Sequence, residues 1–390
     1  MRFPFSNQLP LETFASEYWE KRPLILPKAF REFDFPIRRS DLFDLACNSE
    51  FDSRLIREDV EFNSWELYEG PFDSKELDDL LELSHWTLLI QNTEWMFDSM
   101  HELLEQFRFI PNWRLDDVQL SFATAQGSAG PHVDSYDVFL VQISGEKNWK
   151  IESSPIVEDR AMMEDQEIQV LEEFHPDQEY IVKPGDVLYL PPNIPHWGIA
   201  KGECITASIG FKVPEGRIFG ATFLQMANRL KWKPEGAKPL DESEMVDPGR
   251  IGDAQLDWFQ SELRLLTEDR NYLERIFCKA ITEPVRERWP VGIYPVPSPD
   301  EIRIQLRKGG NLRRLTPGCM VYREIDDKIH VYVFGVETSL KSDLKPFAQL
   351  LTGSKILNFE SLKPYLGVQD VVKLLQMMIE IGALIESESE

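Results

Sequence analysis

Cysteine is scarce: four residues in 390, Cys47, Cys204, Cys278 and Cys319, lie far apart and form no CxxC pair. That spacing excludes a disulfide framework and a zinc knuckle, and leaves reduced, mostly buried thiols. Long apolar runs are missing too. No stretch approaches the roughly 18 to 20 consecutive apolar residues of a membrane span, and the opening Met1-Arg2-Phe3-Pro4-Phe5 has no apolar signal-peptide core. The expectation is a cytoplasmic protein that meets no membrane. Positive charge is in deficit, with 42 basic residues against 67 acidic ones and a net charge of −25. Such a surface repels phosphate backbones, so direct nucleic-acid binding is not expected, and a cationic macromolecule is the complementary partner; plain solubility explains the same acidity.

What is present is a globular composition, 42% hydrophobic and 11% aromatic, enough for one large domain with appendages or for two to three ordinary ones. Helical signals mixed with loops run through Leu11 to Lys21, Lys75 to Leu83 and Thr93 to Phe109, with Thr93 as N-cap. From Val118 to Phe211 the texture changes to short period-two runs punctuated by Gly and Pro, as a compact all-β barrel or sandwich needs. Helical character returns over Arg217 to Trp232, followed by a polar stretch from Lys233 to Gly249. Leu256, Phe259, Leu263 and Leu266 then form an apolar stripe, which serves equally as core or as a dimer seam. Beyond a linker from Pro290 to Pro299, Ile329 to Phe334 reads as a strand and Val371 to Ile381 as a helix closed by Gly382. The tail Glu386 to Glu390 reads as disordered. The fold class is α+β with a mainly β core: residues 1–213 carry that core and a helical preamble, 214–290 a helical region, and 291–390 a small winged-helix-like domain.

Six histidines are few enough to weigh singly. His132-Val133-Asp134 follows a Gly-rich turn and enters the apolar run Val138 to Ile143. In a strand, residues two apart face one side, so the imidazole of His132 and the carboxylate of Asp134 converge. His196 follows the turn Pro184-Gly185, the apolar strand Val187 to Leu190 and a stiff Pro-Pro-Asn-Ile-Pro connection. Two neutral nitrogens and one carboxylate occupy one face of an octahedron, leaving three positions open for a bidentate oxoacid and dioxygen, as in non-haem Fe(II) oxygenases. The His-x-acid spacing alone is weak, since six histidines and 67 acidic residues in 390 give about one chance occurrence. His175-Pro176-Asp177 is such a decoy, its proline and acidic surroundings marking an exposed loop. His85, His101 and His330 have no acid two residues on and read as core or surface.

The β context lifts the first set. After Ser144-Gly145, Lys147 alternates onto one face with Trp149 and Ile151. A lysine aimed at such a face needs an anion, because an unpaired buried ammonium costs several kcal/mol; the alternative is a lysine snorkelling out at the barrel edge. Thr206, Ser208 and Gly210 share the face opposite to Ile205, Ala207, Ile209 and Phe211, and can line a pocket or meet solvent. Tyr136 shares the strand face of His132 and Asp134 and offers a ring for a cation, while Asp137 points the other way in a regular strand.

Three segments carry a family resemblance: Gly130-Pro131-His132-Val133-Asp134-Ser135-Tyr136-Asp137-Val138-Phe139, Pro184-Gly185-Asp186-Val187-Leu188-Tyr189-Leu190-Pro191-Pro192-Asn193-Ile194-Pro195-His196 and Tyr18-Trp19-Glu20-Lys21-Arg22-Pro23-Leu24. In combination they resemble the JmjC-type ribosomal oxygenases, and among these the bacterial ribosomal protein arginine hydroxylases. The resemblance implies a double-stranded β-helix (cupin/JmjC) core, a helical dimerisation region and a C-terminal winged-helix domain. It implies Fe(II) held by His132, Asp134 and His196, and 2-oxoglutarate anchored through its distal carboxylate by Lys147, with Ser121 and Ser208 lining the pocket. The arginine hydroxylases carry arginine where this chain has Lys147, a departure many JmjC proteins share; an ammonium lacks the bidentate fork of guanidinium. The implied activity is dioxygen-dependent hydroxylation of a side chain, an arginine by resemblance, on a basic large-subunit ribosomal protein, by a homodimer, with Tyr136 and Asp137 as substrate contacts. The rival readings are an N-methyl-lysine demethylase, an RNA hydroxylase of the same fold, and a catalytically silent cupin that only binds.

Overall fold

A computed structural model describes residues 3–30, 32–156, 160–212, 216–229, 253–283, 295–316 and 319–387. The chain divides into two compact units, one comprising Met1–Val213, Arg286–Gly292 and Arg314–Gly318, the other Pro214–Val285, Ile293–Arg313 and Cys319–Glu390.

Among its described residues the first unit contains eleven strands: β1 (Leu24–Leu26), β2 (Ser53–Asp59), β3 (Ser64–Glu69), β4 (Trp86–Ile90), β5 (Leu115–Ala123), β6 (Val138–Ser144), β7 (Lys147–Ile151), β8 (Gln178–Val182), β9 (Val187–Leu190), β10 (His196–Ala200) and β11 (Cys204–Phe211). Eight of them form one sheet in the order β1-β9-β6-β11-β5-β4-β2-β3, and β10-β7-β8 form a second. The pairing is antiparallel throughout, so residues directly opposite share a face. One face of the large sheet carries Phe122, Leu120, Phe139, Val141, Tyr189, Ile205 and Ala207, and packs on Phe5, Phe14, Leu104 and Phe107 from the N-terminal segments. The other face carries Val138, Leu140, Leu188 and Leu190, and meets Trp149, Ile151 and Val182 of the small sheet. The functional side chains therefore belong to the space between the two sheets, which is the cupin arrangement.

The hairpin joining β6 to β7 turns at Gly145, whose φ is +65° and where a Cβ would lie 2.2 Å from Glu203 O. Only glycine meets both demands.

Several expectations are corrected. The preamble is not simply helical: β1 to β4 all join the large sheet. The mixed charges of Ser53–Asp59 and Ser64–Glu69 mask their alternation, because much of each strand is only half-buried. Thr93 does not cap a long helix. It opens a short 3-10 turn, Thr93–Trp95, and its hydroxyl donates to Val118 O at 2.8 Å, while the α-helix begins at Asp98 and ends at Gln106. Leu11 to Lys21 gives only a helical turn, Leu11–Thr13, continued by a π-turn, Phe14–Tyr18.

In the second unit, helices Gly216–Arg229, Asp253–Glu268 and Arg270–Thr282 precede Pro299–Arg307, whose N-terminus is closed by a Ser298/Glu301 capping box. Strands Met320–Ile325, Lys328–Val333 and Val336–Lys341 form an antiparallel sheet, and helix Gln369–Glu380 ends before Gly382, at φ +75°. Glu386 and Ser387 belong to a strand, Leu384–Ser387, rather than to a disordered tail; residues 388–390 lie outside the described residues. So do the polar stretch 233–249, the end of the helix expected to reach Trp232, the first half of the linker and the boundary at 290. Of the apolar stripe, Leu256 and Phe259 are exposed and Leu263 is half-buried, whereas the side chain of Leu266 is outside the description. No described helix is long and apolar enough to cross a membrane.

Candidate active site

His132 and His196 face each other through an isolated antiparallel bridge, each backbone N–H donating to the other's carbonyl at 3.0 and 2.9 Å. The imidazole centroids are 4.3 Å apart. Nδ1 of His132 lies 2.9 Å from Gly130 O, and Nδ1 of His196 lies 2.9 Å from Ile194 O. A carbonyl oxygen only accepts, so both Nδ1 atoms carry the hydrogen and both Nε2 atoms present lone pairs. Asp134 completes the group, with Oδ2 at 3.6 Å from His196 Nε2 and its own carbonyl accepting from Asn193 N at 2.7 Å. The three ligand atoms all lie within 4.8 Å of one another. Burial, reinforced by His132, pushes the His196 pKa down to about 4 against the opposing pull of Asp134, so this imidazole is neutral at neutral pH. Two neutral nitrogens and a carboxylate with oriented tautomers fit a divalent first-row metal.

The sequence argument placed His132 and Asp134 on a regular strand. The structure instead brings them together on an irregular stretch, since β6 begins only at Val138. No regular ladder therefore fixes the facing of the next residues. Tyr136 is exposed beside the cluster, but its orientation does not follow from strand geometry. Asp137, expected as a substrate contact, is corrected outright: it is fully buried. It accepts from Tyr189 Oη at 2.5 Å and from Arg114 Nη2 at 3.2 Å. Glu20 N donates to the same Tyr189 oxygen, and Arg114 Nη1 pairs with Glu20 at 2.9 Å while its guanidinium lies over Trp19. Asp137 thus ties the Trp19-Glu20 segment to the strands behind the cluster. Arg114 and Tyr189 were not identified from sequence, and no local spacing announces them.

Burial lifts the Asp137 pKa to about 6, above its ordinary range, although Tyr189 and Arg114 oppose the shift. A raised carboxyl pKa means that the folded state holds its proton longer than the unfolded chain, so this contribution to stability is lost as pH rises through about 4 to 6. Asp137→Asn keeps an acceptor for Tyr189 but cannot ionise. Its stability relative to wild type should improve by roughly 2 to 3 kcal/mol between pH 4 and pH 7 in urea titrations; a pH-independent difference would refute the buried-proton assignment.

Lys147 lies on the inward face of β7, is 6% exposed and has no ion pair among the described residues. Its Nζ sits 5.1 Å from the centroid of Trp149, and burial pushes its pKa down. It does not snorkel. Ser208 is half-buried and pairs with Leu140 of the inward face, while Ser121 pairs with Thr206 and donates its hydroxyl to Thr206 O at 3.3 Å. Thr206 in turn donates to Gln142 Oε1 at 3.0 Å. The unpaired ammonium and these hydroxyl residues all face the space between the sheets. The decoy His175 is 77% exposed beside Glu173, away from the cluster.

Residues 102–218 match the family model described as the JmjC domain. The chain is 28% identical over 369 residues to the ribosomal protein uL16 3-hydroxylase of Escherichia coli, covering 95% of each protein. It is 32% identical over 220 residues to a probable ribosomal oxygenase of Haemophilus influenzae, covering 54% of this chain and 52% of that one. Among solved structures, Escherichia coli YcfD superposes with a TM-score of 0.83 at 26% identity, covering 97% of this chain and 99% of that one. The YcfD complex with cobalt and 2-oxoglutarate superposes with a TM-score of 0.81, at the same identity and coverage. Residues 102–218 thus match the JmjC domain, and the chain that carries the clustered His132, Asp134 and His196 is similar along nearly its whole length to a ribosomal oxygenase.

Proposed function

We propose that this protein is an Fe(II)- and 2-oxoglutarate-dependent dioxygenase that hydroxylates an arginine side chain of a basic large-subunit ribosomal protein. The observation that carries the reading is the convergence of two Nε2 lone pairs and the Asp134 carboxylate beside a barrel interior that holds an unpaired lysine. His132, Asp134 and His196 would hold the iron. Bound there, Fe(II) supplies the oxygen chemistry, in which one atom of O2 enters a substrate C–H bond while the other converts 2-oxoglutarate to succinate and CO2.

The rest belongs to the chain. Lys147 neutralises the distal carboxylate of the cosubstrate, and the hydroxyls of Ser208 and Ser121 give that end a polar wall. Leu140, Leu188 and Ile151 keep water from the interior, which strengthens the charge pairing. The ring of Tyr136, exposed beside Asp134, stacks on the incoming guanidinium. Net acidity favours a basic protein over RNA, and a ribosomal-protein substrate supports a cytoplasmic site of action. Exposed Leu256 and Phe259 support a homodimer seam along their helix.

The test is direct. Ribosomal proteins from cells lacking the gene, incubated with the purified enzyme, Fe(II) and 2-oxoglutarate, should gain the mass of one oxygen atom on one large-subunit protein, at an arginine. Loss of methyl groups from lysine would support the demethylase reading instead, and oxygen incorporated only into RNA would support the RNA one.

A further inference from the structure

The register between β10 and β7 sets His196 opposite Ile151, Gly198 opposite Trp149 and Ala200 opposite Lys147. Gly198 is not among the residues with positive φ, so its backbone does not require glycine. The requirement is steric. A Cβ built on Gly198 would lie 2.6 Å from both Cη2 and Cζ3 of Trp149 and 2.9 Å from Cε of Lys147. The lysine stem can swing aside, whereas the indole cannot: it is 5% exposed, packed among the apolar residues between the sheets, and its centroid is 5.8 Å from that of His196. Its Nε1 is buried without a hydrogen-bond partner, so packing alone dictates where the ring lies.

We propose that Gly198 is a positioning residue of the cosubstrate pocket: by lacking a side chain it seats the Trp149 indole across β10 as a shelf that holds the Lys147 ammonium at a fixed distance from the metal-binding histidine. The inference rests on the reading of Lys147 as the 2-oxoglutarate anchor. The indole lies between the two functional ends, touching His196 on one side and carrying Nζ at 5.1 Å from its ring on the other. Its π face lies against the lysine Nζ while no carboxylate is bound, so the side chain waits in place. A shifted indole would displace the ammonium from the position that receives the distal carboxylate, which weakens the acid without removing any metal ligand.

The test uses full-length protein loaded with Mn(II), titrated calorimetrically with 2-oxoglutarate, and Mn(II) affinity measured separately without the acid. Gly198→Ala should weaken 2-oxoglutarate about tenfold while changing Mn(II) affinity by less than about threefold, because the new methyl overpacks the shelf and not the metal ligands. Trp149→Phe, which lacks the ring atoms that the methyl strikes, should rescue it: the double variant should bind within about threefold of Trp149→Phe alone, a non-additivity expected only of groups in contact. Trp149→Leu, on the native Gly198 background, removes the shelf and should weaken the acid about three- to tenfold even where Gly198→Ala folds poorly. Wild-type affinity in both Gly198→Ala and Trp149→Leu, or strict additivity in the double variant, overturns the proposal. Lys147→Ala in the same titration separates the two levels: unchanged affinity there refutes the anchor reading itself, whereas a large loss there with none in the shelf variants refutes only the shelf.

Discussion

Asp134→Ala is expected to abolish turnover, and His132→Ala and His196→Ala to do the same, with the fold and thermal midpoint nearly unchanged in Asp134→Ala and His132→Ala. The expectation follows from donor count. Removing one of three converging ligand atoms leaves two, too few to hold a divalent ion against water while presenting open positions on one face. The His132 and Asp134 side chains do not support the core, whereas that of His196 is 2% exposed and packs beside Trp149. His132 and Asp134 are half-buried at the mouth, and the bridge that pairs His132 with His196 uses backbone atoms, which survive substitution. His175→Ala serves as the contrast, because its exposed ring should be silent. Single-turnover assays with Fe(II) and 2-oxoglutarate check all four. Full activity in Asp134→Ala would remove the facial triad, and loss in His175→Ala would mean that the wrong histidine pair was assigned.

Lys147→Ala should raise the KM for 2-oxoglutarate about ten- to a hundredfold, with a far smaller effect on the KM for the protein substrate. One charge-assisted hydrogen bond in a buried pocket contributes roughly 1.5 to 3 kcal/mol, which sets that range. Among the described residues Lys147 is a buried lysine between the sheets, and burial pushes its pKa down. Lys147→Arg should retain binding if the wider guanidinium clears the Trp149 ring and Gly198. An unchanged KM in Lys147→Ala would assign the lysine to packing rather than to the cosubstrate.

Much of this site was readable before any coordinates. The central proline and acidic surroundings of His175-Pro176-Asp177 separated that decoy from His132-Val133-Asp134, and the alternation of Lys147 with Trp149 and Ile151 is the alternation the sheet displays. The failures have physical causes. Strand alternation was extended backwards from Val138 to His132, but an isolated bridge and the hydrogen bond from Asn193 N to Asp134 O replace the regular ladder there; Asp137 does point away from His132 and Asp134, as alternation gives, and there it meets Tyr189 and Arg114 in the core. Strands β2 and β3 were missed because their half-buried faces carry charge. The role of Gly198 is invisible in sequence for a different reason: a glycine two residues past a histidine means nothing until the β7–β10 register sets Trp149 against it.

Succinate release by the purified protein, with Fe(II), 2-oxoglutarate, O2 and a ribosomal-protein mixture from cells lacking the gene, bears most directly on the central claim that these residues form a 2-oxoglutarate oxygenase centre. The account predicts oxygen-dependent succinate formation that matches the hydroxylated product mole for mole and disappears in Asp134→Ala. Protein that binds the metal yet leaves 2-oxoglutarate intact in the presence of oxygen and substrate would contradict it.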